Sequence, residues 1–87
     1  MEVVVGVKVI KPYVLEVTFA DGVCNRVDIE PLLYGEMFEP LRDFARFAEV
    51  TVDPELGTVV WPNGADLSPE FLYAPDAALV EPPRPAR

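Results

Sequence analysis

The chain has 87 residues, one cysteine (Cys24), no histidine and a net charge of −8 from 7 basic and 15 acidic side chains. That length suits one domain, the lone thiol excludes an internal disulfide, and a chain without histidine is a poor zinc ligand. Residues 1–80 hold 5 basic and 14 acidic groups; such a surface repels phosphate backbones, so direct nucleic-acid binding is not expected, and it attracts a basic protein partner, although keeping a small domain soluble is the commoner reason for such a balance.

Val3, Val5, Val7 and Val9 alternate with Val4, Gly6, Lys8 and Ile10. A period of two predicts a strand, with the odd-numbered valines on one apolar face. After Pro12, the residues Tyr13, Leu15, Val17 and Phe19 form a second apolar face opposite Val14, Glu16 and Thr18. Asp21-Gly22 follows directly and predicts a short-loop hairpin. Val23, Val27 and Ile29 then alternate with Cys24, Arg26 and Asp28, completing a three-stranded antiparallel meander. The alternation puts Cys24 on the same face as Arg26 and Asp28. A small residue filling a strand position is the expected role of this thiol.

Pro31-Leu32-Leu33-Tyr34-Gly35 predicts a turn of helix stopped by glycine. Phe38, Leu41, Phe44 and Ala45 form a one-sided stripe, predicting a short helix from about Pro40 to Arg46 that lies on the sheet with Arg42 and Asp43 outward; a partner-binding face is the alternative, and core is the commoner reason for such a stripe. Ala48, Val50 and Val52 predict a fourth strand, and Asp53-Pro54-Glu55-Leu56-Gly57 a tight loop. Thr58-Val59-Val60-Trp61 is the fifth strand, ended by Pro62, which has no N–H for a ladder. Asn63-Gly64 accepts a sharp turn, and Ser68-Pro69 starts a last short helix that lays Phe71 and Leu72 on the core. Residues 76–87 contain Glu81-Pro82-Pro83-Arg84-Pro85, which predicts a disordered or extended tail. The expected architecture is α+β over residues 1–75: a mostly antiparallel sheet of about five strands with two short helices packed on it.

Chemistry is sparse. Histidine, the commonest general base, is missing, and Ser68 is the only serine. Asp21, Asp28, Asp43, Asp53 and Asp66 offer carboxylates, but most fall at turns, where aspartate bonds its own backbone. Neither an EF-hand loop nor a glycine-rich phosphate loop occurs. Catalysis and a cofactor are therefore not expected. Trp61, Asn63 and Asp66 are the candidate site residues, combining an aromatic surface with polar groups near a sheet end. Local turn chemistry also accounts for each of them.

The hairpin Tyr13-Val14-Leu15-Glu16-Val17-Thr18-Phe19-Ala20-Asp21-Gly22 is followed by Val27-Asp28-Ile29 and Pro31-Leu32-Leu33. Phe38-Glu39-Pro40-Leu41-Arg42-Asp43 and Val50-Thr51-Val52-Asp53 come next. The most specific segment is Trp61-Pro62-Asn63-Gly64-Ala65-Asp66-Leu67, with Pro69 and Leu72-Tyr73 after it. Over residues 3 to 75 this succession resembles the family called domain of unknown function 2442. The resemblance implies a prokaryotic α+β protein. Some relatives carry a helix-turn-helix after this domain, and others look like the antitoxin half of a toxin–antitoxin pair. After residue 75 there is no room for a helix-turn-helix, so direct DNA binding is not expected. The resemblance carries over no catalytic residue.

The expected function is a non-catalytic protein-binding module, an antitoxin-like subunit neutralising a basic partner; the alternative is a small-ligand sensor with Trp61 and Asp66 at a pocket. Free sheet edges also predict a homodimer. Met1-Glu2-Val3 lacks the positive start of a signal peptide and the apolar runs are too short to span a bilayer, so a cytoplasmic protein without membrane contact is expected, and a lone cysteine fits a reducing compartment.

Overall fold

The computed structural model describes residues 2–75; the Pro-rich stretch expected to be a tail lies outside them. The α+β architecture is observed, but the strands form two sheets. β1 (Val4–Lys11), β2 (Val14–Phe19) and β3 (Cys24–Asp28) make an antiparallel meander. β4 (Thr51–Asp53) and β5 (Thr58–Val60) make a separate hairpin of three residue pairs. The expected single sheet of about five strands fails for a local reason. The Val50 amide is spent on the Phe47 carbonyl, so β4 starts at Thr51 rather than near Ala48. Pro62 stops β5 from the other end. A ladder this short stays a hairpin laid against β1, joined to it by the Val4 amide bonding the Gly57 carbonyl at 2.9 Å.

β2 behaves as its alternation dictates: Leu15, Val17 and Phe19 are buried. β1 does not. Val4 pairs with Phe19 but Gly6 pairs with Thr18, so one residue, Val5, is extra. A one-residue bulge reverses the inward face of the strand beyond it. Val4, Val7 and Val9 therefore pack into the core, while Val3 and Val5 are exposed. The expected face of Val3, Val5, Val7 and Val9 is corrected on this point.

Between β1 and β2 the chain turns at Pro12-Tyr13, with Tyr13 at φ +66°. Proline followed by a positive φ is the type II pattern, though glycine is the usual second residue. Tyr13 is held there by its ring, edge-on to Phe47 at 5.3 Å, and by its hydroxyl, which donates to the Arg42 carbonyl.

The helical elements are single turns. A 3-10 turn covers Glu30–Leu32, and α1 is Gly35–Phe38. Gly35, at φ +85°, opens this helix instead of stopping the turn before it. The expected helix from Pro40 to Arg46 is broken. Glu39–Arg42 is a 3-10 turn, Asp43 is extended, and α2 (Phe44–Phe47) starts afresh with the Asp43 carboxylate accepting from the Ala45 amide at 3.1 Å. An aspartate that captures a free amide competes with helix continuation and nucleates a new N-terminus. Leu41 and Phe47 consequently become the buried anchors and Phe44 is left exposed.

α3 (Pro69–Tyr73) is capped as its sequence announces, with the Ser68 hydroxyl accepting from the Phe71 amide at 3.1 Å. Leu72 is fully buried and Tyr73 packs edge-on to Phe19 at 4.9 Å. Asn25 of β3 donates to the Leu72 and Tyr73 carbonyls at 3.0 and 2.7 Å, taking up orphaned acceptors at the helix end.

The Tyr73 hydroxyl donates to the Asp21 carboxylate at 2.7 Å. Asp21 is held below its ordinary 3.8, first by the Val23 amide and then by that hydroxyl. Tyr73 is pushed above its ordinary 10.0, first by the bond to Asp21 and then by burial. The contribution of Asp21 is therefore complete above its unfolded pKa and disappears as pH falls through the depressed folded value. That of Tyr73 is complete below its unfolded pKa and disappears as pH rises through the raised one. In an NMR titration, Tyr73→Phe should move the Asp21 midpoint upward but only part of the way, because the Val23 amide remains. An unmoved midpoint would show that the hydroxyl does not reach the carboxylate in solution.

Candidate functional site

The strand-to-helix corner after β5 is built from its own backbone. The Trp61 amide donates to the Ala65 carbonyl and the Gly64 amide to the Trp61 carbonyl, each at 2.9 Å, closing a loop that Gly64 enters at φ +95°. Asn63 works in two directions. Its oxygen accepts from the Ala65 amide at 3.0 Å, and its NH2 donates to the Met37 carbonyl in α1 at 2.8 Å. Trp61 is buried between Phe38 and Phe47, ring centroids 6.0 and 5.9 Å away. Its Nε1 donates to the Phe47 carbonyl in α2 at 2.9 Å. The corner thus grips the helical segment at two points, Met37 and Phe47.

Asp66 is exposed, and its backbone forms a lone antiparallel bridge to Val60. Trp61, Asn63 and Asp66 are close in chain but not in environment: the indole is inside, the amide spans two backbones and the carboxylate faces water. The indole does not line the cleft beside the corner. That cleft, about 450 Å³ and open to solvent, is bounded by Leu41, Arg46, Glu49, Pro62 and Asn63. Arg46 and Glu49 give it one charge of each sign over an apolar floor. Such a pair can receive a zwitterionic or peptide group, and Arg46 already leans towards Asp43, 3.7 Å away.

The other aspartates among the described residues have local work. Asp21, Asp28, Asp43 and Asp53 each accept from the backbone amide two residues on, at 2.8–3.1 Å, the Asx-turn pattern. Among the described residues, no group of three His, Cys, Asp or Glu side chains is placed to hold a metal ion. No helix of the described residues is long and apolar enough to cross a membrane.

Sequence reasoning weighed the stripe holding Phe44 as a partner face but favoured core, and it missed Tyr34 and Met37 beside the corner. Tyr34, Met37 and Phe44 are 69%, 42% and 43% exposed. All three belong to the segment the corner holds, and the Met37 methyl lies 3.4 Å from the position a Cβ on Gly64 would take. The signal available was Asp43 as an N-cap, which rotates Phe44 out of the stripe.

Fold and corner together define a small α+β protein in which a tryptophan-to-glycine loop clamps a run of single-turn helices. The chain belongs to the DUF2442 family of proteins of unknown function, whose model matches residues 4–78. No curated protein and no solved structure matches it.

Proposed function

We propose that the chain is a non-catalytic protein-binding module whose contact surface is the helical segment held by the Trp61 corner. The observation that carries this is the exposure of Tyr34, Met37 and Phe44 within eleven residues. Aromatic residues and methionine are enriched at protein interfaces, and single turns pinned by the corner present them in fixed positions. On the same segment the exposed Glu36, Glu39 and Asp43 outnumber the exposed Arg42 and Arg46, within a surface that is acidic overall. The partner is accordingly a basic protein, and the finer role is that of an antitoxin-like subunit in the cytoplasm. The family resemblance supports this role.

The test is co-expression with the product of the adjacent gene, followed by pull-down at low and high salt. Retention is expected at low salt and should weaken as salt rises, since the charge attraction is screened. Tyr34→Ala with Phe44→Ala should weaken binding at both salts by about thirtyfold or more, the scale of an aromatic anchor worth about 2 kcal/mol. No retention at either salt would remove the reading.

A second reading, a small-ligand sensor, is favoured by the cleft with Arg46 and Glu49 on its walls. It predicts quenching or enhancement of Trp61 emission by a zwitterionic metabolite, abolished by Arg46→Ala.

A further inference from the structure

The β3 edge is unpaired among the described residues. The Ile29 amide bonds the Tyr13 carbonyl and the Phe19 amide bonds the Val23 carbonyl. In an antiparallel ladder this parity turns the backbone groups of Val23, Asn25, Val27 and Ile29 towards β2. Those of Cys24, Arg26 and Asp28 point away, and none of them bonds another backbone. All three residues are exposed.

The outer face of the meander, bounded on one side by this edge, carries a charge balance unlike the rest of the described surface. Lys8 and Arg26 flank Glu16 across the sheet at 3.9 and 3.5 Å. Lys11, Arg26, Asp28 and Glu30 border one shallow hollow at the end of the same face. Lys8, Lys11 and Arg26 thus balance Glu16, Asp28 and Glu30, while the remainder of the described surface is acidic, with only Arg42 and Arg46 basic. Two copies of an acidic chain repel each other least where local charge cancels, as it does across this face.

We propose that β3 pairs antiparallel with β3 of a second copy, with Arg26 opposite Asp28 of the partner subunit. Parity leaves few two-fold registers. Setting Arg26 opposite Arg26 of the partner subunit places like charges across the strands, which destabilises a pair. Setting it opposite Cys24 of the partner subunit leaves Asp28 facing Gly22, so no opposite charges meet across the strands. The remaining register seats each arginine against an aspartate, twice by symmetry. The Asp28 Oδ1 stays on the Glu30 amide at 3.1 Å, which leaves Oδ2 to accept from the incoming guanidinium. The charges that deter indiscriminate edge pairing admit this one arrangement. None of Tyr34, Met37 and Phe44 takes part, so the dimer and the partner contact stand or fall separately.

Sedimentation equilibrium of the full chain, up to on the order of 1 mM because a short strand pair is a small interface, should show the 9.6 kDa species giving way to one of twice the mass. Arg26→Pro removes the guanidinium and an amide that points away from β2, so the meander keeps its ladder, and this variant should stay monomeric. Arg26→Glu should weaken association by roughly tenfold or more, and Arg26→Glu with Asp28→Lys should restore it. The double variant keeps the new carboxylate beside Glu16, so its recovery isolates the contact between copies. A wild type monomeric throughout, a dimer that survives Arg26→Pro, or a charge swap that fails to rescue would overturn the proposal.

Discussion

Trp61→Ala should come close to unfolding the protein. The side chain is buried, touches Phe38 and Phe47 and donates to the Phe47 carbonyl. Removing a buried tryptophan costs about 3–5 kcal/mol. A chain this small holds only about 0.05–0.15 kcal/mol per residue of stability, so the loss is a large part of the total. Trp61→Phe separates the ring from its hydrogen bond. It keeps most of the apolar contact, and the Phe47 carbonyl still accepts from the Val50 amide at 3.3 Å, so a cost of about 1–2 kcal/mol is expected. Urea unfolding should order the three proteins wild type, Phe, Ala. With an m-value of about 1 kcal/mol/M, the alanine midpoint should fall by several molar. An alanine variant within about 1 kcal/mol of wild type would mean that the corner does not anchor the helical segment.

Leu72→Ala is the second large effect. Five residues cannot hold a helix alone, because nucleation is unfavourable and few bonds follow it. α3 persists because Leu72 is fully buried and Asn25 caps its last carbonyls. Truncating Leu72 should cost about 2–5 kcal/mol and lower the melting temperature by more than about 10 °C, at about 4–8 °C per kcal/mol for a domain of this size. Asn25→Ala should cost less, about 1–3 kcal/mol, because Leu72 still seats the helix. If the asparagine change proved the worse of the two, the helix would be held by its cap and not by its apolar side chain.

The meander was legible because its two hairpins are spelled locally: strict alternation in Leu15, Val17 and Phe19, and Asp21-Gly22 at the turn. The Asp53–Gly57 loop and the Ser68 cap were legible for the same reason. The bulge at Val5 was not, since Val3, Val4 and Val5 are chemically identical and only the register against β2 selects the extra one. The division into two sheets was hidden too, because it depends on the Val50 amide being taken by Phe47. Of the candidate site, the turn at Asn63-Gly64 could be read from the dipeptide. Its bond to Met37 could not, as nothing in either segment names the other. The exposure of Phe44 comes from Asp43 breaking the helix, a cap signal masked by the apolar stripe around it.

The Val3–Val4 backbone is where the two sheets are stitched. The Val3 carbonyl accepts from Ala20 at the end of β2, and the Val4 amide reaches Gly57 at the start of β5. The second bond closes a loop of more than half the chain, and closure entropy grows with loop length. Such distant pairings come late in folding. The meander can therefore assemble first as a local nucleus, leaving the β4–β5 hairpin to dock afterwards. Until it does, the inner face of β1, with Val4, Val7 and Val9, lacks part of its cover, so a chain caught before that docking offers an apolar strand to its neighbours.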